Sequence, residues 1–445
     1  MMKKLLLLCV LCGWAGFARG QTTMDTIGVT ALLAQDPTLT GSGVFLVQVE
    51  SAPNAQYAVE PSANAPQFEV NHGSPGQPIS LFTYRSTMGT SGTFPNIVGS
   101  ESGHADVVAE DLYGEYTGVA PGLLHVANYE TNTFYPDVIQ SQAATRARVF
   151  NQSFEFGNHN AQQDQAYDDY IARYHTVVLS GIGDGGAVLT PADCYNGLGV
   201  AAQGGGSSTG PTVDGRCKPD ITAPAGETSF STPLVSGAAA IMIQEGRRQK
   251  VNATAAVDSR TVKALLLTGA VKPAGWTATT TAPLDPNYGA GVLNVFNSYE
   301  ELVGGRYAPT AKGLSPAGHA PLTSGTTINA VRGWDYRGIT SGAADEGVSH
   351  YRITTSGTGA LITTLVWNKP YRAKAINQLA LYVYDGSGNE LASSVSTVDN
   401  VQHVYLTGLA AGTYEIEVEK TAGRVGTAGA VTEAEVYALA WDFER

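Results

Sequence analysis

The sequence has few charged residues, few of them basic, and few cysteines. Charged residues make up 15% of the 445 positions, and 26 basic residues face 39 acidic ones, for a formal net charge of −13. That acidic balance argues against nucleic acid or an anionic membrane surface as a partner. After residue 20 there is no apolar run of eighteen residues, so no membrane span is predicted there. The 52 glycines are typical of a compact, loop-rich globular chain rather than a disordered one.

The first twenty residues, MMKKLLLLCVLCGWAGFARG, are typical of a secretory signal peptide, with two lysines, a short apolar core and small residues near the end. We expect cleavage after Gly20, which would leave 425 residues with a net charge of −16, secreted or periplasmic. Two of the four cysteines would leave with the signal. The remaining pair, Cys194 and Cys217, has two interpretations: a disulfide contributing about 3 kcal/mol, or two independent buried thiols.

Residues 41–300 alternate short apolar segments with helix-like ones. The predicted strands are 44–50, 123–129, 147–153, 175–183 and 197–203, and the predicted helices are 104–112, 161–173, 233–246 and 259–270. Apolar runs of strand length with few polar interruptions suit inner strands of a parallel sheet that is covered on both faces. The alternation therefore predicts an α/β fold with a mostly parallel sheet flanked by helices.

The composition changes near residue 305. Residues 305–322 are rich in Pro, Gly, Ala and Thr and are predicted to be a linker. Alternating segments follow at 360–367, 378–394, 401–409, 412–420 and 436–443, with DGSG at 385–388 as a hairpin-turn signal. They predict an all-β, jelly-roll-like sandwich over 323–445. The expected organisation is a signal peptide at 1–20, an α/β domain at 21–304, the linker and the sandwich.

A run of hydroxyl and small residues, GETSFSTPLVSGAAA at 226–240, is compatible with a helix cap or with a reactive site. Serine and threonine at a helix start usually accept hydrogen bonds from free backbone N–H groups. The same position also favours developing negative charge near a nucleophile. Two other segments offer partners: His104 follows a glycine in GSESGHADVVAED, and Glu50 ends the first predicted strand. Catalytic groups in α/β sheets gather at the carboxyl ends of strands, where Glu50 lies.

Together these segments resemble the subtilases, the subtilisin-like serine peptidases, over about residues 27–300. KPDITAPAGETSFSTPLVSGAAA resembles the serine motif of the family, HADVVA its histidine motif, and GSGVFLVQVES the strand that ends in the catalytic aspartate. VFNQS, TVVLSGIGDGG and YGAGVLN resemble three further family segments in the same order. The resemblance implies a subtilisin-like fold in which Ser229 is the nucleophile and His104 the general base. Glu50 stands at the position of the family's aspartate.

The resemblance also implies roles in binding substrate and in stabilising the oxyanion. Ser153 and Phe154 would line the pocket for the residue before the scissile bond. Asp184 stands where the family's asparagine donates to the oxyanion. Because an ionised carboxylate has no proton to donate, Asp184 could serve only when protonated, and we expect an acid-shifted optimum.

A structural calcium ion is common among subtilases, but the sequence assigns no ligands to one, and no other metal or cofactor is predicted. The remaining histidines show no metal-ligand spacing and are expected in surface or core roles. They are His72, His125, His159, His175, His319, His350 and His403.

The sequence thus predicts a secreted serine endopeptidase that hydrolyses protein or peptide substrates through a Ser-His-Glu triad and an acyl-enzyme intermediate. A second interpretation is a catalytically impaired, subtilase-like binding or surface protein, because Glu50 and Asp184 depart from the family pattern. A third, carbohydrate binding by the sandwich, rests only on aromatic residues such as Trp334 and Trp441. The intact serine and histidine favour the peptidase, and we expect a monomer with no nucleic-acid or membrane partner after signal cleavage.

Overall fold

The computed structural model describes residues 23–51, 65–313, 321–340, 347–422 and 434–444. The predicted signal peptide lies outside the described residues, as do residues 314–320 of the predicted linker. Among the helices of the described residues, none has the length and apolar character needed to cross a bilayer.

The N-terminal part is built on a large, mostly parallel sheet. The strands of this part are β1 (Phe45–Glu50), β2 (Gln67–Glu69), β3 (Phe82–Ser86), β4 (Gly89–Ser91), β5 (Ser100–Glu101), β6 (His125–Glu130), β7 (Val149–Gln152), β8 (Val177–Gly181), β9 (Leu198–Ala202) and β10 (Ile221–Ala223). Strands β2 and β5 form a separate parallel pair, and the other eight form the large sheet. The large sheet has the order β10-β9-β8-β7-β1-β6-β3-β4, and β3 and β4 are its antiparallel pair. The five predicted strands correspond to β1, β6, β7, β8 and β9 with bounds within two residues.

Helices connect and flank these strands, as the alternating pattern predicts. They are α1 (Val29–Gln35), α2 (Gly103–Tyr113), α3 (Thr131–Phe134), α4 (Ala161–Tyr174), α5 (Thr228–Arg248), α6 (Ala253–Ala256), α7 (Ser259–Thr268) and α8 (Val295–Gly304). Short 3-10 turns lie at Ile79–Leu81 and Lys250–Asn252, and a π-helical turn lies at Tyr135–Gln140. The predicted α/β class with a mostly parallel sheet is confirmed.

The central helix α5 begins at Thr228, five residues before the predicted start. Pro233 therefore lies inside the helix, where it has no N–H to donate to the carbonyl of Ser229, four residues earlier. The hydroxyl of Ser153 donates to that carbonyl instead, at 2.8 Å. This bond lets α5 continue past the proline and joins the helix to the residue that follows β7.

The C-terminal part is a sandwich of two antiparallel sheets. Its strands are β11 (Ala311–Gly313), β12 (Arg332–Ile339), β13 (Val348–Thr355), β14 (Gly359–Trp367), β15 (Gln378–Asp385), β16 (Glu390–Ser394), β17 (Val401–Leu409), β18 (Gly412–Ala422) and β19 (Glu435–Glu444). One sheet has the order β11-β13-β18-β15-β16 and the other β12-β19-β14-β17. The predicted hairpin turn is present between β15 and β16, where the Gly388 N–H donates to the Asp385 carbonyl at 3.0 Å.

The two tryptophans that supported a carbohydrate-binding interpretation are core residues. Trp334 is 1% exposed and Trp441 is fully buried, so neither offers a surface to a sugar. The indole N–H of Trp334 donates to the Leu302 carbonyl at the end of α8. The carbohydrate-binding interpretation thereby loses both residues that supported it, because Trp441 packs in the sandwich core and Trp334 in the core that includes α5.

The sandwich and the α/β part share one apolar core. The four-stranded sheet packs on α7 and α8, and its residues join the core that surrounds α5. The sheet residues in that shared core are Trp334, Val366, Val401, Ala438 and Ala440. A buried hydrogen bond between the Thr268 and Thr364 hydroxyls, 2.7 Å long, adds a polar contact. The sandwich therefore covers a face of the α/β part that would otherwise expose apolar side chains to water.

Asn196 is a polar connection between the same two parts. Its Nδ2 donates to the Lys369 carbonyl at 2.9 Å, and its Oδ1 accepts the Lys369 N–H at 2.7 Å. Asn196 is 4% exposed, so an alanine would leave both backbone groups buried without these partners. Each such group costs about 1–3 kcal/mol. We expect Asn196→Ala to lower the free energy of unfolding by about 3 kcal/mol, measured from urea unfolding midpoints.

The matched control is Gln162→Ala, which removes an exposed amide from the first turn of α4. We expect it to change the free energy of unfolding by less than about 0.5 kcal/mol. An equal loss in both variants would show that the buried Asn196 contacts contribute nothing specific.

Cys194 and Cys217 are both free thiols, so the disulfide interpretation is wrong and the alternative of two separate thiols holds. Cys194 is buried, and a Cβ at Gly197 would come within 2.8 Å of its Sγ. Burial raises the pKa of the Cys217 thiol to about 12 and raises that of Cys194 further. Both thiols therefore stay protonated and weakly nucleophilic.

Candidate active site

The carboxyl ends of β1 and β7 lie side by side and position two of the candidate residues. Glu50 is the last residue of β1, and the parallel register pairs Val49 with Gln152, the last residue of β7. Ser153 therefore follows β7 beside Glu50. Ligands bind at such strand ends in parallel sheets because the loops that leave them are free to vary.

Glu50 and His104 form a buried pair. His104 Nδ1 lies 2.7 Å from Glu50 Oε2, and the two residues are 5% and 1% exposed. The second carboxylate oxygen, Oε1, accepts a hydrogen bond from Gln48 Nε2 at 2.7 Å, and the same amide donates to the Ala105 carbonyl at 3.0 Å. Gln48 thus fixes both the carboxylate and the start of α2. The longer acid reaches the imidazole at an ordinary hydrogen-bond distance.

The charges around His104 favour its protonated form. Burial by itself lowers the pKa of an imidazole, but the Glu50 charge and hydrogen bond, with the charges of Glu227 and Asp184, outweigh it. The pKa of His104 is therefore raised above its ordinary value of 6.5. A raised pKa makes the ring a better proton acceptor, and it stabilises the imidazolium that forms when a proton is taken.

Ser229 lies in the first turn of α5, and the residue after it contacts His104. The ring of the following residue, Phe230, has its centroid 5.7 Å from that of the imidazole. The Ser229 hydroxyl donates to the Ser153 carbonyl at 3.3 Å. For a proton to pass from Ser229 to His104, the hydroxyl would have to turn away from that carbonyl.

Asp184 caps the same helix. Its Oδ1 accepts the Thr228 N–H at 2.8 Å, one residue before Ser229, while the rest of Asp184 is exposed. The contact places a carboxylate at the positive end of α5. It also gives Asp184 a structural role that the sequence resemblance did not indicate.

The two predicted pocket residues have other contacts as well. Ser153 is 4% exposed, and its hydroxyl bonds the Ser229 carbonyl inside α5. Phe154 is half-buried, and its ring meets that of Phe156 edge to face with centroids 5.3 Å apart. The structure thus places Ser153 beneath the start of α5 and Phe154 in an aromatic pair at the end of β7.

A cleft of about 570 Å³ adjoins the candidate residues. Glu227 and Phe230, on either side of Ser229 in the chain, line it together with Val107, one turn along α2 from His104. Glu110 and Asp111 are also in its wall, so three carboxylates face this volume. The wall of this cleft is therefore acidic and would attract positively charged groups.

Two groups of side chains could each hold a metal ion, and sequence analysis missed both. His159 lies close to Asp164 and Asp193, and in the sandwich His350 lies close to Glu415 and Glu417. Within each group the ligand atoms lie within 4.8 Å of one another. The spacing gives no motif because the members come from different elements, with His159 and Asp193 separated by 34 positions.

Residues 103–291 match the model of the subtilase family, Peptidase_S8. This segment is a subtilase domain. The predicted family is thereby confirmed, and the match supports a serine peptidase. The subtilase domain includes His104, Ser153, Asp184 and Ser229, whereas Glu50 precedes the matched segment and is placed beside it by the register of β1.

The chain also resembles a solved structure, that of the prenylagaramide maturation protease PagA. The two share 19% sequence identity, with a TM-score of 0.44, over 62% of this chain and 98% of the other.

Proposed function

We propose that the chain is a secreted serine endopeptidase whose catalytic residues are Ser229, His104 and Glu50. The observation that carries the proposal is the buried 2.7 Å contact between Glu50 and His104, beside the turn of α5 that holds Ser229. The subtilase match over residues 103–291 supports it independently. The predicted signal peptide supports export, so the proposed place of action is outside the cell or in the periplasm.

The proposed reaction uses an acyl-enzyme. Ser229 Oγ attacks the scissile carbonyl carbon while its proton passes to His104 Nε2, and Glu50 holds the Nδ1–H and stabilises the imidazolium. The tetrahedral intermediate collapses as the C–N bond breaks and the imidazolium gives its proton to the leaving amine. Water then attacks the ester with His104 again as base, and the acid product leaves Ser229 in its starting form.

The start of α5 would stabilise the oxyanion. The N–H groups in the first turn of a helix have no intrahelical acceptors, and Ser229 lies in that turn. We propose the Ser229 N–H as one donor and Asp184 as a second donor in its protonated form. The substrates would be proteins or peptides, whose extended backbone would run past Ser153 and Phe154.

Labelling with a fluorophosphonate probe tests the nucleophile. We expect the protein to be labelled and Ser229→Ala to remain unlabelled, because only an activated serine reacts with the probe. The matched control is Ser231→Ala, which removes a buried hydroxyl that bonds the Thr228 carbonyl in the same helix. It should keep the label.

One observation favours a second candidate, a subtilase-like binding protein without turnover. The carboxylate of Asp184 accepts a backbone N–H at the end of α5, where an oxyanion needs donors. Absence of labelling at both pH 5 and pH 8, in protein shown to be folded by circular dichroism, would favour that candidate over the peptidase.

A further inference from the structure

We infer that His159, Asp164 and Asp193 form a binding site for a divalent transition-metal ion of the zinc type. His159 lies in the segment between β7 and α4, Asp164 in the first turn of α4, and Asp193 in the loop between β8 and β9. Three separate elements thus bring an imidazole nitrogen and two carboxylates to one point.

Three of the four carboxylate oxygens of this group are buried without a hydrogen-bond partner among the described residues. The Asp164 side chain is 8% exposed, and within the described part of the chain neither of its oxygens has a hydrogen-bond partner. The Asp193 side chain is fully buried, and its Oδ1 also has no such partner there. Buried carboxylate oxygens are costly unless they are paired or bound to a metal. A cation bound through one oxygen of each carboxylate would offset part of that cost.

The spacing of the donor atoms fits a small ion. Nitrogen and oxygen ligands lie about 2.0–2.2 Å from zinc, which places neighbouring ligands of a tetrahedron about 3.3 Å apart. His159 Nδ1 is 3.4 Å from Asp164 Oδ2. It is 2.6 Å from Asp193 Oδ2, a hydrogen bond that the ion would replace as the imidazole loses its Nδ1 proton.

The ligand set favours zinc over calcium. Calcium takes six to eight oxygen ligands, whereas an imidazole nitrogen with two carboxylates is a set typical of zinc and its neighbours. The His159 side chain is 31% exposed, which gives an ion a route from solvent and leaves a position for water. In the second group all three residues, His350, Glu415 and Glu417, are buried. The Glu415 carboxylate there already has two hydrogen-bond partners, the His350 Nδ1 and the Leu322 N–H.

An ion at this point would join two loops beside the candidate active site. Two hydrogen bonds already connect them, because the Phe156 and Asn160 N–H groups both donate to Thr190, each at 2.8 Å. The first loop begins with Ser153 and Phe154, and the second carries Asp184. The proposed ion would therefore stiffen the walls of the substrate pocket and raise thermal stability, with no part in the chemical steps.

The test uses metal-stripped, tag-free full-length protein carrying Ser229→Ala, which prevents self-digestion. Zinc binding is measured by calorimetry, and cobalt is added as a spectroscopic probe of a tetrahedral site. We expect one zinc ion per chain and a Tm increase of about 5 °C when zinc is at a hundredfold excess over Kd. Calcium at the same concentration should produce no comparable shift.

His159→Ala should weaken zinc binding by about 100-fold or more and abolish the cobalt spectrum. Because His159 is partly exposed, this variant is expected to fold, and circular dichroism checks that it does. The controls His72→Ala and His104→Ala should both keep the binding. No saturable zinc binding, unchanged binding in His159→Ala, or loss of binding only in His350→Ala would each overturn the proposal.

Discussion

Replacing Glu50 with glutamine is expected to lower kcat by about 10⁴-fold without unfolding the protein. The amide oxygen can still accept the bond from Gln48, which now goes to Glu50 Oε1 at 2.7 Å. The amide nitrogen then faces His104 Nδ1 and donates to it, so the ring proton moves to Nε2. A ring protonated at Nε2 cannot accept the proton of Ser229, and the nucleophile is not activated.

The pH profile provides a second readout of the same change. Glu50 contributes to the raised pKa of His104, and the ring must be neutral to act as base. The kcat/KM of the unmodified protein should therefore fall as the pH drops through a value above 6.5. Removing the Glu50 charge lowers the pKa of His104, so the acidic limb of the residual activity should move to lower pH.

Glu130→Gln is the matched control for Glu50→Gln. Glu130 ends β6 directly opposite Glu50, is 2% exposed, and accepts the Asn132 N–H at 2.9 Å. Glu130 therefore shares the strand-end position and the burial of Glu50. None of its hydrogen bonds in the described part of the chain goes to the His104 imidazole. We expect its kcat to stay within a few-fold of the starting value. Equal kcat in both glutamine variants would show that Glu50 is not the acid of the site.

The α/β alternation and the main strands could be predicted because their signals are local. Parallel strands buried on both faces appear as apolar runs, and β1, β7 and β8 follow that pattern closely. The start of α5 could not be predicted in the same way. Proline is typical of the first turn of a helix, which suggested a start at Pro233. The helix begins earlier because Ser153, distant in sequence, satisfies the Ser229 carbonyl.

Three sandwich strands were missed. β11 lies inside the predicted linker at 305–322, and β12 and β13 have sequences that are unusually polar for buried strands. β12 reads RGWDYRGI and β13 reads VSHYRITT. The charges of β12 are accommodated by ion pairs with distant residues, Arg332 with Asp442 and Arg306 with Asp335. Such pairs exist only in the folded chain, so a period-two apolar pattern does not reveal them.

The candidate site likewise contains residues that the sequence indicates and contacts that it does not. Ser229, His104 and Glu50 lie in segments whose residue types indicate the chemistry, and each could be named from the sequence. The cap formed by Asp184 and the group around His159 depend on loops that meet only in three dimensions. Sequence spacing carries no signal for either.

Replacing Asp184 with asparagine is expected to raise kcat at neutral pH by about 100-fold. The asparagine oxygen can accept the Thr228 N–H as Asp184 Oδ1 does now, at 2.8 Å, so the cap on α5 is kept. Its amide nitrogen supplies a donor beside Ser229 that an ionised carboxylate lacks. One side-chain donor at an oxyanion site contributes about 10²–10³ in kcat. Asp184→Ala is the control, since it removes the carboxylate without adding a donor and should not raise kcat.

The dependence of this gain on pH separates the two roles of Asp184. In acid a protonated Asp184 can donate for itself, so the ratio of the kcat of Asp184→Asn to that of the unmodified protein should shrink as the pH falls. Protonation of His104 lowers the activity of both proteins over the same range, and the ratio removes most of that shared loss. A ratio near one at every pH would mean that Asp184 only caps α5. In that case the oxyanion would depend on backbone N–H groups alone, and the expected acid-shifted optimum would lose its physical basis.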